Sequence, residues 1–200
     1  KHQHQTKNEL DYLILAVDDG SDDGTNDLLI RYARKFPVDI LKHSRNRGLG
    51  ETIRDGFEQI ADLSHADDIL IRMDADCTHN PKYIPDLILG INKGYDIAVA
   101  SRFAKGGGEK GLNANRKLIS RIANLIFRLL FPIGGVREYT CGYRAYRCAT
   151  IKNAFRIFGN NFIQLRGLGF CCTLEKLLKL HLLGANIIEV PFVLSYNLKK

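Results

Sequence analysis

The apolar positions divide the first hundred residues into strands and helices in alternation. Tyr12-Leu-Ile-Leu-Ala-Val17, Val38-Asp-Ile-Leu-Lys42, Asp68-Ile-Leu-Ile-Arg-Met73 and Tyr95-Asp-Ile-Ala-Val-Ala-Ser101 are short, mostly branched runs bounded by acids or turn residues, and each predicts a strand. A helix is expected from Asp22-Asp-Gly-Thr25 to about Phe36, with Thr25 or Asp23 as its N-cap. The turn Arg45-Asn-Arg-Gly-Leu-Gly50 leads into a second, carrying Ile53, Phe57, Ile60 and Ala61 on one face. Pro81 opens a third, with Ile84, Leu87, Ile88 and Ile91 at helical spacing, and Gly94 ends it. This alternation predicts an α/β fold with a mostly parallel sheet and helices on both faces.

The second half is less regular. Residues 104–111 are glycine-rich and read as a loop. Asn115 to Phe131 is a long helix whose apolar residues lie nearly all round, with Arg121 and Arg128 two turns apart. Two readings of it stand: a buried core helix, or an interfacial helix whose arginines reach lipid phosphate. Cys141-Gly-Tyr-Arg-Ala-Tyr146 is a tight turn into a strand, and two helices follow. Ile187 to Leu194 reads as an edge strand, because Pro191 lacks the N–H a central ladder needs. Tyr139, Tyr143 and Tyr146 suit the core, and the polar residues 1–10 suit a solvated tail.

Two hundred residues suit one domain. Charge adds an asymmetry that the net value of +7 hides: residues 1–100 carry 12 Lys/Arg and 18 Asp/Glu, residues 101–200 carry 17 and 4. An acidic half suited to metal and a basic half facing anions follow from that split. A nucleic-acid partner would use the basic half but leave the acidic strand ends unexplained, so none is expected. Five cysteines without paired Cys-x-x-Cys spacing speak against a disulfide framework or a structural zinc site and for a reducing compartment. Cys171-Cys172 reads as a buried helical pair. No apolar run reaches membrane-spanning length.

The candidate chemistry lies at the acidic strand ends. Asp74-Ala-Asp76 places two carboxylates just past a strand, where hard oxygen donors suit Mg²⁺ or Mn²⁺ and where open α/β sheets place ligands. Alone, Asp-x-Asp is common in surface turns. Upstream, Asp18-Asp-Gly-Ser-Asp-Asp-Gly-Thr25 has the look of a calcium loop, but Ile30 stands where its bidentate Glu belongs and a strand precedes it. A strand ending in acids and a Gly-Ser turn before a helix N-terminus suits a nucleotide instead.

Taken in order, Val17-Asp-Asp-Gly-Ser-x-Asp-Gly-Thr25, Arg45-Asn-x-Gly-Leu-Gly50, Asp74-Ala-Asp76 with His79 and Pro81, and Ser101-Arg102 resemble an inverting family-2 glycosyltransferase. Thr140-Cys-Gly-Tyr-Arg144, Glu175 and Glu189-Val-Pro191 are similar to its dolichol/polyprenyl-phosphate mannose synthase branch. The resemblance runs from about Tyr12 to Leu194. It implies an A-type, Rossmann-like glycosyltransferase fold and metal-dependent transfer of a sugar, with mannose the central case, from GDP-mannose or a UDP-sugar to a polyprenyl (dolichyl) phosphate. By resemblance Asp18, Asp19, Arg45, Gly48 and Asp74 serve the donor nucleotide, and Asp76 with Asp74 holds Mg²⁺ or Mn²⁺. Asp74, Asp76 and Arg116 carry catalysis, while Arg102, Arg116, Arg144 and Glu175 serve phosphate or acceptor. A protein of this kind works at the cytoplasmic face of a membrane, here meeting its anionic surface through residues 116–131.

The chain departs from the family pattern in places. The opening strand with its Pro-x-Tyr-Asn-Glu turn is missing, so residues 1–200 are expected to be one domain truncated at the N-terminus, with truncation at the C-terminus as a second expectation. Thr78 stands where Gln is frequent, Glu138 where Asp is usual, and Cys171 where many relatives carry an acid. Two other readings stay open: a relative that glycosylates a sugar or protein hydroxyl, and a catalytically weak nucleotide-binding fragment. The Gln-x-x-Arg-Trp of processive relatives is absent, since the chain has no Trp.

Overall fold

A computed structural model describes residues 11–111, 113–167 and 171–196; the side chains of Ala114 and Arg116 fall outside that set, as does the tail expected at residues 1–10. Among the described residues eight strands and six α-helices follow in chain order. They are β1 (Ile14–Asp18), α1 (Thr25–Ala33), β2 (Val38–Lys42), α2 (Leu49–Leu63), β3 (Ile69–Arg72), α3 (Ile84–Asn92), β4 (Ile97–Ser101), β5 (Gly108–Lys110), α4 (Ala114–Leu130), β6 (Arg144–Arg147), α5 (Cys148–Phe158), α6 (Cys171–Leu182), β7 (Ile187–Pro191) and β8 (Val193–Ser195).

The main sheet has the order β3-β6-β4-β7. β4 and β7 are parallel, but β6 runs antiparallel to both neighbours. The α/β expectation holds, with parallel pairs β1–β2, β4–β7 and β5–β8, and the antiparallel β6 is the one departure among the described pairings, since the alternating first half carries no sign of it. The sheet topology brings the C-terminal ends of β3, β4 and β7 to one edge, together with the turn that enters β6. All five residues of β4 are buried, and their two-residue period divides them between two cores. Ile97 and Val99 join Phe57 of α2, Ile151 of α5 and Leu177 of α6 on one side. Ala98 and Ala100 meet Leu87 and Ile91 of α3 on the other.

β1 and β2 form a separate parallel pair. Among the described residues no strand bridges β1 to β3, so each keeps one edge without a ladder partner. α2 ties the two pieces together, Phe57 meeting Tyr146 of β6 edge to face at 5.3 Å.

Smaller corrections follow from tertiary context. Thr25 is the first helical residue rather than a cap; it donates its backbone N–H and hydroxyl to Asp23. Residues 108–110, expected in a loop, pair with β8. Cys172 is buried but Cys171 is exposed, because consecutive helical positions face different directions. The core-helix reading of α4 fails: Leu118, Ile119, Ile122, Leu125, Leu129 and Leu130 are all exposed, Leu129 at 73%.

Candidate active site

The site begins where β3 ends. Asp74 Oδ1 takes Nη2 of Arg72 at 2.6 Å, and Arg72 stands directly across from Arg144 in the β3–β6 register. A Cβ on Gly142 would overlap Nη1 of Arg72, so the Thr140-Cys-Gly turn needs glycine to let the guanidinium pass. Asp76 Oδ1 accepts the backbone N–H of Thr78 at 3.1 Å and its hydroxyl at 2.5 Å. This local turn holds Cys77 at φ 63°, in the left-handed region.

His79 fixes the same loop from below. Its Nδ1 accepts the backbone N–H of Asp74 at 2.8 Å, and Nε2 lies 3.6 Å from that residue's carboxylate. The ring stacks on Tyr143 with centroids 4.9 Å apart and meets Phe192 edge-on. Burial pushes the His79 pKa down against the opposing pull of Asp74. A neutral imidazole accepting on Nδ1 follows from both observations.

Beside this loop, at the end of β4, Arg102 is bound within the protein. Its guanidinium donates to Glu138, Glu109, Ser120 and Thr140. Glu138 also accepts the backbone N–H groups of Thr140 and Cys141, and Glu189 accepts those of Arg137 and Glu138 at 2.6 Å each. Although burial lowers the Arg102 pKa, the Glu138 contacts raise it further, above the ordinary arginine value. Burial, with the Glu138 carboxylate adding to it, pushes the Cys141 thiol up to about 12.

The acidic end of β1 is built differently. Asp18 Oδ1 accepts the N–H of Ser21, while Oδ2 is buried without a hydrogen-bond partner. Asp19 accepts from the backbone N–H groups of Arg47 and Gly48 and lies 2.6 Å from His43 Nδ1. Burial works to raise the Asp19 pKa, but the bonds from His43, Arg47 and Gly48 outweigh it and hold the carboxyl below its usual value. Gly20, at φ 75°, lets this loop approach: a Cβ there would sit 2.5 Å from the Arg45 carbonyl carbon. Arg45 itself is exposed.

The structure thus groups Asp74, Asp76 and Arg102 at one edge of the main sheet, and places Asp18, Asp19, Arg45 and Gly48 at the end of the β1–β2 pair. Arg144 is fully buried beneath the first group, donating to the carbonyls of Thr173 and Tyr139. Glu175 accepts the N–H groups of Gln164 and Leu165 and pairs with Lys179. In this geometry both are packing residues, oriented into the protein. Arg116 belongs to the first turn of α4, its side chain outside the described set.

Among the described residues no three potential ligands converge into a complete metal cage. Asp74 and Asp76 nonetheless fit Mg²⁺ or Mn²⁺, ions that take few protein carboxylates and complete their shells with water and phosphate oxygens. Sequence reasoning did not single out His43, buried between Asp19 and Asp55, or the hub role of Glu138. A histidine following a strand gives no local sign of carboxylates brought to it from elsewhere in the chain.

Residues 2–161 match the family described as glycosyl transferase family 2. The chain is 32% identical over 184 residues to a dolichol-phosphate mannosyltransferase of Pyrococcus furiosus, covering 92% of this chain and 48% of that one. It is 30% identical to a polyprenol monophosphomannose synthase of Mycolicibacterium smegmatis (91% and 66% covered). Identity to an undecaprenyl-phosphate mannosyltransferase of Micrococcus luteus is 33% (89% and 70% covered). The chain therefore spans from about half to 70% of the length of these relatives. Among solved structures it is similar to glucosyl-3-phosphoglycerate synthase from Mycobacterium tuberculosis, crystallised with Mn²⁺ and UDP, at TM-score 0.57 and 16% identity, covering 92% of this chain and 59% of that one.

Proposed function

The chain belongs to glycosyl transferase family 2 and has an A-type glycosyltransferase fold, and we propose that it moves a hexose, mannose in the first instance, from a nucleotide-sugar to a polyprenyl phosphate. The observation that carries this reading is the sheet edge that groups Asp74 and Asp76 with Arg102, in a chain similar over nine-tenths of its length to polyprenyl-phosphate mannosyltransferases. The lipid-phosphate acceptors named for those relatives supply the acceptor class.

In this reading Asp18 and Asp19 meet the nucleoside, with Arg45 and Gly48 in the loop that Asp19 clamps. The orphaned buried oxygen of Asp18 is an acceptor without a donor, and a ribose hydroxyl or base N–H supplies one. Asp76, with Asp74, holds Mg²⁺ or Mn²⁺, which when bound neutralises charge on the nucleoside diphosphate as it leaves. His79 and Arg72 hold Asp74 in place for that contact. A phosphate oxygen of the acceptor forms the new bond to the anomeric carbon, the bond to the diphosphate oxygen breaks, and in-line attack inverts the configuration.

A phosphate nucleophile is anionic at neutral pH and needs no strong general base. The harder requirement is to hold two anions together. In this reading the acceptor phosphate is served by Arg116, the role its resemblance implies, and by Arg102 from within its Glu138 cluster. Arg144 and Glu175 support the turn and the loop around the acceptor from beneath. α4 lies on the anionic membrane surface through residues 116–131, with its exposed apolar face toward lipid; among the described residues no helix is long and apolar enough to cross a membrane.

The test is transfer from GDP-mannose, UDP-glucose and UDP-N-acetylglucosamine to a short polyprenyl phosphate, with Mn²⁺ and with chelator. Metal-dependent product with one donor supports the reading. Transfer only to a sugar or peptide hydroxyl would replace it with the hydroxyl-acceptor alternative, and nucleotide binding without transfer would leave a binding fragment.

A further inference from the structure

A cleft of about 370 Å³ opens beside α4, lined by Phe103, Arg121, Asn124, Leu125, Arg128 and Arg137. Its three arginines come from two segments: Arg121 and Arg128 lie on one helical face, about 10 Å apart along the axis, and Arg137 comes from the loop before β6. All three are exposed, and among the described residues none of their guanidiniums pairs with a carboxylate and no acid lines the cleft. Its floor is rigid. Asn124 is buried, with Oδ1 accepting from Tyr139 N and Nδ2 donating to Ser120 O and Thr140 Oγ1. Thr140 in turn accepts from Arg102, so one hydrogen-bond network joins the cleft floor to the proposed acceptor site.

Three uncompensated guanidiniums around one opening call for an anion, and their planar forks suit phosphate. The surroundings narrow the source. Leu118, Ile122, Leu125, Ile126 and Leu129 are exposed on the same helix, and a free phosphate has no use for such a rim. We infer that this cleft is a binding site for the headgroup phosphate of one anionic phospholipid, its acyl chains lying along the apolar face of α4. The inference rests on the proposed membrane docking and deepens it: Arg121, Arg128 and Arg137 form a discrete phosphate site rather than part of a diffuse positive surface.

The test uses the full 200-residue chain and three kinds of vesicle: phosphatidylcholine alone, phosphatidylcholine with phosphatidylglycerol, and phosphatidylcholine with oleate at the same surface charge. Phosphatidylglycerol vesicles should bind at least roughly tenfold tighter than oleate vesicles, as for one charge-assisted contact, because the phosphodiester stands clear of the acyl boundary and can enter the cleft while the oleate carboxylate lies at that boundary. Arg137→Gln should remove that preference, with circular dichroism confirming the fold. Lys93→Gln, which removes an equal charge outside the cleft, should preserve it. Equal binding to the two anionic vesicles, or a preference that survives Arg137→Gln, overturns the discrete site while leaving diffuse docking intact. Binding to no vesicle overturns both. Inorganic phosphate binding as tightly as monomeric dihexanoyl phosphatidylglycerol would assign the cleft to a free anion. Self-association that Leu129→Glu abolishes would assign the apolar face to a second copy and overturn the lipid site.

Discussion

Arg102 meets Glu138 edge to edge, Nε to Oε2 at 2.6 Å and Nη2 to Oε1 at 2.8 Å, with the carboxylate fully buried and the guanidinium 7% exposed. A bidentate pair in that setting fixes both side chains and the turn between them. Removing one member strands a buried charge. Glu138→Ala should lower the unfolding free energy by about 3–5 kcal/mol, measured by urea denaturation. A loss below about 1 kcal/mol, the range of an exposed pair, would mean that the cluster contributes little to the fold.

Gly142 should matter more to the site than to stability. Its missing side chain makes room for the far end of Arg72, which can swing away at modest cost but then leaves Asp74. Gly142→Ala is expected to keep its melting temperature within a few degrees while weakening binding of Mn²⁺ with GDP. In an Arg72→Ala background the added methyl should have no further effect. An equal loss in both backgrounds would break the proposed coupling.

Much of the element order is written in the apolar pattern, because each run follows the period of the surface it buries. β4 is the clearest case: four consecutive small or branched residues, Ile97 to Ala100, serve two cores at once. β6 was legible as a strand but not in its direction, since pairing partners lie far away in sequence and no periodicity encodes them. The acids of the site were legible as types at strand ends. What they do locally was not: Asp19 clamps the Arg47–Gly48 backbone, and Arg144, expected at phosphate or acceptor, turns inward to the Tyr139 and Thr173 carbonyls.

Lys176 is fully buried, its ammonium position 3.8 Å from the Phe57 ring centroid, and burial, with Arg72 and Arg144 nearby, pushes its pKa well below the usual value. An unfolded lysine keeps its proton to about pH 10.4, so between the depressed value and that limit the unfolded chain binds more protons. Stability contributed by this site therefore rises with pH through that window. Lys176→Met should flatten this slope and raise the neutral-pH melting temperature, by about 2–4 °C per kcal/mol gained. A lower melting temperature at every pH would show that the amine is needed in place.

Asp19 has the same sense in a more acidic window. Its lowered pKa means that its contribution is complete above the unfolded carboxylate value, about 3.9, and is lost as pH falls through the folded value. Asp19→Asn should destabilise the protein near pH 7, and the difference from the parent should close as pH falls below the unfolded carboxylate value. Thermal melts across that range provide the check; a constant difference would contradict the clamp.

The central claim is that the acidic end of β3 binds metal and nucleoside diphosphate together. Calorimetric titration of GDP and UDP, with and without Mn²⁺, tests it most directly when repeated on Asp76→Asn. The account predicts that Mn²⁺ tightens binding of at least one of the two nucleotides and that Asp76→Asn abolishes this gain in a protein that still folds. Nucleotide binding that ignores Mn²⁺, or a metal effect that persists in Asp76→Asn, would contradict it.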